Sequence, residues 1–113
     1  MLPYNVELDG KTVLVTGAAG FIGSNLVMRL FHDFRNIKVI GIDSITDYYD
    51  VTIKYERLKE IESLNRDWTF VRASIADKDV LEKIFSENKI SVVVNFAAQA
   101  GVRYSITNPD AYI

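Results

Sequence analysis

Three glycines at fixed spacing, in Thr16-Gly17-Ala18-Ala19-Gly20-Phe21-Ile22-Gly23, stand between a short β-branched run and an apolar stripe of helical period. The run is Thr12-Val13-Leu14-Val15-Thr16, and a buried strand entering a tight turn reads this way. Past the turn Gly23, Leu26, Val27 and Leu30 fall at i, i+3, i+4 and i+7. That spacing predicts a helix from Phe21 to about His32, with one face inward and Asn25 and Arg29 in water. Strand, glycine turn and helix in this order form the first unit of a parallel α/β sheet.

The alternation continues along the chain. Ile37-Lys38-Val39-Ile40-Gly41-Ile42 reads as a second strand, Val51 to about Leu64 as a charged helix, and Trp68-Thr69-Phe70-Val71 as a third strand. Asp77 is placed to cap a helix whose apolar stripe is Val80, Leu81, Ile84 and Phe85. Ile90 to Phe96 is nearly continuous in apolar residues, as a parallel strand covered on both faces requires. The expected fold is a Rossmann-type, doubly wound parallel sheet. Asn108-Pro109-Asp110 has the form of a helix start, yet only three residues follow. The sheet is therefore expected to be truncated after about four strands, with residues 1–113 forming one N-terminal dinucleotide-binding domain.

Composition narrows the partners. The net charge is -2 and the thirteen Lys and Arg are scattered, so no basic stripe exists to neutralise the phosphates of a nucleic acid. With no cysteine, disulfides, thiolate metal sites and a thiol nucleophile are excluded together, which fits a cytoplasmic protein. No apolar run approaches the ~18 residues of a membrane span. His32, the one histidine, falls at the predicted end of the first helix with no second ligand beside it, and no metal site is expected.

Each glycine has a distinct reason. Gly17 allows the tight turn out of the strand, Gly20 lets the backbone approach a pyrophosphate, and Gly23 lets the helix lie close on the sheet. A diphosphate then sits at the positive end of the helix, against unpaired N–H groups. Asp43 stands twenty residues past Gly23, at the end of the second strand, where a carboxylate accepts from both hydroxyls of an adenine ribose and repels a 2′-phosphate. Ser44 and Ile45 follow, with no Arg or Lys adjacent in sequence, which favours NAD over NADP. Asp43 also has the simpler reading of a turn residue closing a strand.

The spacing G-x-x-G-x-x-G, in the form T-G-x-x-G-F-I-G, resembles the extended short-chain dehydrogenase/reductase family in its nucleotide-sugar branch. Asp47-Tyr48-Tyr49-Asp50-Val51, and Asn95-Phe96-Ala97-Ala98-Gln99-Ala100-Gly101-Val102-Arg103-Tyr104-Ser105, resemble the UDP-glucuronate 4-epimerases more closely still. The likeness covers essentially the whole chain after Gly10. It implies that Gly17, Gly20, Phe21 and Ile22 surround the pyrophosphate, that Asp43 holds the ribose, and that Ala97, Ala98 and Gln99 line the nicotinamide side, with Gly23 and Ser44 also among the cofactor-binding positions. Tight packing alone is the simpler reading of the two alanines. Where the family commonly has Asp-Ile against the adenine, this chain has Ser74-Ile75, which leaves a weaker adenine contact.

The resemblance also implies what the parent protein does: NAD removes and returns a hydride at C4 of a UDP-sugar, while a tyrosine in a Y-x-x-x-K motif moves the hydroxyl proton. Tyr55 and Lys59 have that spacing but fall on the helix after the second strand, where the family has no such pair, so no catalytic residue is expected in this chain. Arg103 is the candidate for a sugar carboxylate or diphosphate, or else a solvated loop arginine. A sugar-nucleotide 4,6-dehydratase shares this front half, and a non-catalytic dinucleotide module on the same fold is the reading outside enzymes. An open, apolar edge on the fourth strand is expected to promote self-association.

Overall fold

The computed structural model describes residues 8–45 and 51–97. Seven elements alternate: β1 (Thr12–Thr16), α1 (Phe21–Asp33), β2 (Lys38–Asp43), α2 (Val51–Ser63), β3 (Trp68–Arg72), α3 (Lys78–Glu87) and β4 (Val92–Asn95). The four strands form one parallel sheet in the order β3-β2-β1-β4. β1 is central, and the order reverses there, because the chain steps outward to β2 and β3 and then crosses back to β4.

Alternate residues of each strand serve opposite faces. Val13 and Val15 of β1, Val39 of β2 and Val92 and Val94 of β4 join Val27, Leu30 and Phe31 of α1 and Ile61 of α2 in one core. Leu14, Ile40 and Ile42 join Ile84 of α3, with Val80, Leu81 and Val93 packed against them, in the other. Helices therefore cover both faces, and the expected doubly wound parallel architecture is the one found.

Element boundaries differ from the sequence reading by a residue or two. β2 extends to Asp43, and β4 is shorter than the Ile90–Phe96 run because only Val92–Asn95 has a strand partner to pair with. Phe85 is a correction: the expected inward stripe of α3 includes it, yet its side chain is 48% exposed. Val80, Leu81 and Ile84 already fill the contact with the sheet, and Phe85 lies about 100° further round the helix from Ile84. The Asp77 cap is as expected, its Oδ1 accepting from the Val80 N–H at 3.2 Å.

α1 is fixed at its far end by a residue from another part of the chain. Arg66, just past α2, donates to the carbonyls of Phe31, Phe34 and Arg35 at the end of α1, and its guanidinium lies 5.1 Å from the Phe31 ring centroid. The Phe31 carbonyl is one that the last turn of a helix leaves unpaired, and those of Phe34 and Arg35 follow it at the cap and just beyond. Beside them, the Asp33 carboxyl is held below its ordinary value by a hydrogen bond from His32 and by Arg29, with burial opposing the shift. Among the described residues no helix is long and apolar enough to cross a membrane.

Candidate dinucleotide site

The carboxyl ends of the strands converge on a crevice lined by Gly17, Gly20, Ile42, Asp43, Ser44, Lys54, Ala73, Ser74, Ile75, Phe96 and Ala97. It opens beside β1, where the strand order reverses, which is where ligands bind in open α/β sheets. The turn out of β1 is folded across β2: Gly17 and Ala18 donate to the Ile42 carbonyl at 2.8 and 3.1 Å. Gly17 has φ +70, and a Cβ there would come within 2.8 Å of the Phe96 carbonyl carbon and 2.9 Å of the Ala97 nitrogen. Only glycine meets both demands. Thr16 ties the same corner together, its hydroxyl donating to Asn95 Oδ1 and accepting from the Ala97 N–H at 3.3 Å.

Gly20 caps α1 in extended conformation, with no side chain to bond the first turn. The N–H groups of Phe21, Ile22 and Gly23 therefore lie at the helix start without intrahelical partners. Gly23 is buried, and a Cβ on it would overlap the Gly17 carbonyl oxygen. The close approach that Gly23 makes possible is thus to the turn itself, whereas the sequence reading set it against the sheet. The side chains of Phe21 and Ile22 are 68% and 64% exposed and do not line the crevice. Ile22 faces a groove outside it, with Leu26, Met28 and Phe96.

Asp43 is buried at the crevice floor and fully engaged on one oxygen. Oδ1 accepts from the Ile45 N–H at 2.8 Å and from Lys54 Nζ at 3.1 Å, and Oδ2 accepts from the Ala19 N–H at 3.0 Å. A carboxylate has about four acceptor positions. One remains, on Oδ2, so this geometry leaves room to accept from one ribose hydroxyl rather than the expected two. The Asp43 to Ile45 contact also holds Ile45 at φ 58, a strained conformation for a β-branched residue. Ile45 is kept there by packing against Ala19 and Leu58.

Lys54 is the residue that sequence reasoning missed. No cation is adjacent to Asp43 in sequence, but α2 brings one in space. The signal was available, since Lys54, Leu58 and Ile61 fall at i, i+4 and i+7 and form the inward stripe of α2. Arg57, one turn on, donates to the Ala19 carbonyl at 3.3 Å and lies 5.7 Å from the Phe21 ring centroid. Tyr55 and Lys59 are both exposed on α2 and outside the crevice.

Of the other predicted residues, Ser44, Ser74, Ile75 and Ala97 line the crevice with Gly17, Gly20 and Asp43. The Ser74 hydroxyl accepts from the Ala76 N–H at 3.1 Å. Ala98, Gln99 and Arg103, the segment Asp47 to Asp50, and Asn108-Pro109-Asp110 lie outside the described residues.

A parallel sheet wound on both faces, with a glycine turn feeding a helix and an acidic residue at the end of β2, defines a Rossmann-type domain. The chain belongs to the GDP-mannose 4,6 dehydratase family, whose model matches residues 14–113. It is 50% identical over 101 residues to Protein CapI of Staphylococcus aureus, covering 89% of this chain and 29% of that protein. Among solved structures it is similar to UDP-glucuronic acid 4-epimerase from Bacillus cereus in complex with NAD, at TM-score 0.67 and 37% identity, covering 81% of this chain and 28% of that one. It is likewise similar to dTDP-glucose 4,6-dehydratase from Bacillus anthracis in complex with NAD, at TM-score 0.69 and 33% identity, covering 80% and 27%. The chain thus spans less than a third of the length of these relatives.

Proposed function

We propose that this chain is the NAD-binding portion of a nucleotide-sugar 4-epimerase of the UDP-glucuronate/UDP-galacturonate type. The observation that carries the reading is the crevice itself, in which the glycine turn, the open start of α1 and Asp43 stand together at the switch point of the sheet. The chain's similarity to an epimerase solved with NAD supports it. The residues fit such a cofactor. Gly17 and Gly20 place no side chain at the crevice, the first N–H groups of α1 are open to a diphosphate, and Oδ2 of Asp43 retains an acceptor position for a ribose hydroxyl.

When bound, NAD supplies the hydride acceptor for oxidation at the sugar C4. The chain's own part is to bind and orient. The start of α1 neutralises the diphosphate, Asp43 and Ser44 fix the ribose, Ser74 and Ile75 border the adenine, and Ala97 with Ala98 and Gln99 leaves space on the nicotinamide side. Arg103 is assigned to the sugar nucleotide, where a guanidinium pairs a carboxylate or phosphate. In this reading the chain contributes no acid or base to the reaction and is inactive alone.

Calorimetric titration with NAD tests the assignment. Asp43→Ala is expected to weaken binding by about tenfold, the effect of losing one hydrogen bond to a charged acceptor. Equal binding by the wild-type chain and the variant would remove Asp43 from the ribose. A 4,6-dehydratase has the same front half, as the similarity to the Bacillus anthracis enzyme illustrates. Binding of UDP-glucuronate in preference to dTDP-glucose favours the epimerase, and the reverse preference favours the dehydratase.

A further inference from the structure

The Ala19–Gly20 peptide leads into the N-cap of α1, and both of its polar groups are held. The Gly20 N–H donates to the Gly17 carbonyl at 3.1 Å, inside the turn. The Ala19 carbonyl, on the opposite side of the same peptide plane, accepts from Arg57 Nη1 at 3.3 Å. The peptide before it is fixed by Asp43, whose Oδ2 accepts from the Ala19 N–H at 3.0 Å. Reversing the Ala19–Gly20 peptide would carry Gly20 from φ -72 to a positive φ, which glycine adopts without strain. A glycine here keeps side chains out of the turn, and it also leaves the peptide before it free to turn over.

We propose that Arg57 is a positioning residue for dinucleotide binding: its guanidinium holds the Ala19 carbonyl toward α2 and keeps that dipole out of the turn that receives the diphosphate. The inference rests on the reading of the crevice as a dinucleotide site. Turned over, the peptide would present a carbonyl oxygen, with its partial negative charge, beside Gly17 and Gly20 in the crevice wall. The start of α1 would then no longer offer an anion donors alone. Arg57 is suited to this task. It is half-buried on α2, and its guanidinium lies 5.7 Å from the Phe21 ring centroid, so the ring restricts where the guanidinium can go. That contact also gives a reason for Phe21, whose side chain is 68% exposed at the first position of α1 and does not line the crevice. The ring acts on the turn through Arg57.

Amide hydrogen exchange on the ligand-free chain and calorimetric titration with NAD test this together. In Arg57→Met the Gly20 N–H is expected to exchange about fivefold faster, the worth of one net hydrogen bond, while the Gly17 and Ala18 N–H groups, bonded to the Ile42 carbonyl, keep their rates. NAD binding is expected to weaken by a similar factor. Arg57→Lys retains a donor for the Ala19 carbonyl and is expected to recover part of both losses. Phe21→Leu removes the ring but no donor, and is expected to move both readouts about twofold in the same direction. That arm carries the test if Arg57→Met does not fold. An Arg57→Met chain that binds NAD as tightly as the wild type, or an Arg57→Lys chain that recovers nothing, overturns the proposal. So does equal acceleration at all three N–H groups, the mark of a general loss of stability. Weaker NAD binding with the Gly20 rate unchanged also overturns it, in favour of a direct contact with the ligand. Failure of the wild type to bind NAD instead removes the dinucleotide reading, and the exchange pattern then still decides whether Arg57 holds the peptide.

Discussion

Replacing Gly23 by alanine sets two effects of opposite sign against each other, and the structure decides between them. In an exposed helix interior the change stabilises by about 1 kcal/mol, because alanine loses less backbone freedom on folding. Gly23 is in the first turn of α1, but it is buried against the β1 turn. A Cβ there overlaps the Gly17 carbonyl oxygen and comes within 2.9 Å of the Gly17 carbon and 3.1 Å of Ala18 Cα. All three are backbone atoms, which cannot swing aside as a side chain would. The turn cannot retreat freely either. Gly17 and Ala18 are bonded to the Ile42 carbonyl, Gly20 to the Gly17 carbonyl, and the backbone at Phe96 and Ala97 lies close by Gly17. Relief therefore breaks one or two buried hydrogen bonds at about 1 kcal/mol each, beyond overpacking strain of about 1–3 kcal/mol. The net expectation for Gly23→Ala is a destabilisation of about 1–4 kcal/mol, read as a lowered urea midpoint with an unchanged slope. NAD binding should fall with it, since the same turn carries Gly17 and Gly20. A variant as stable as the wild type, or more so, would refute the packing argument and return Gly23 to an ordinary helical position.

Two further outcomes follow from contacts outside the crevice. Arg66→Met should lower stability by about 2 kcal/mol, because three carbonyls at the end of α1 lose a charged donor, and partial exposure lets water replace some of that. Arg66→Lys should recover only part of the loss in thermal unfolding, as one ammonium cannot span three carbonyls, and full recovery would show that charge alone is at work. Among the described residues β4 has a sheet partner on one side only, and Phe96 just beyond it is 39% exposed, so the chain should form oligomers as concentration rises. Sedimentation velocity at high concentration that shows only monomer would contradict this.

The features legible in the sequence are those with a short-range cause. The β1 run, the glycine turn and the α1 stripe announce themselves because each is dictated by neighbours within eight residues, and the Asp77 cap is legible for the same reason. Asp43 was found from its distance along the chain to the glycines, which the first strand-helix-strand unit fixes. Phe85 was misplaced because a hydrophobic period does not state how wide a face the sheet will cover. Arg66 was not legible at all: its partners are the carbonyls of residues 31, 34 and 35, and main-chain oxygens leave no trace in sequence.

α2 shows most clearly what such a reading loses. Its charge suggests a solvated helix, and most of its residues are exposed. Yet its inward stripe begins with Lys54, continues to Leu58 and Ile61, and is flanked by Arg57, so the face that packs on the domain carries two cations toward the crevice and the glycine turn. A buried carboxylate needs compensation, and two backbone N–H groups supply only part of it. The Asp43 side chain therefore requires a cation from somewhere, and α2 is the element that packs beside the end of β2. Asp43 in the sequence was evidence for a lysine on the next helix as much as for a ribose hydroxyl. Its chemistry in the crevice is that of the pair, and substitutions at position 43 will be misread unless Lys54 is varied with it.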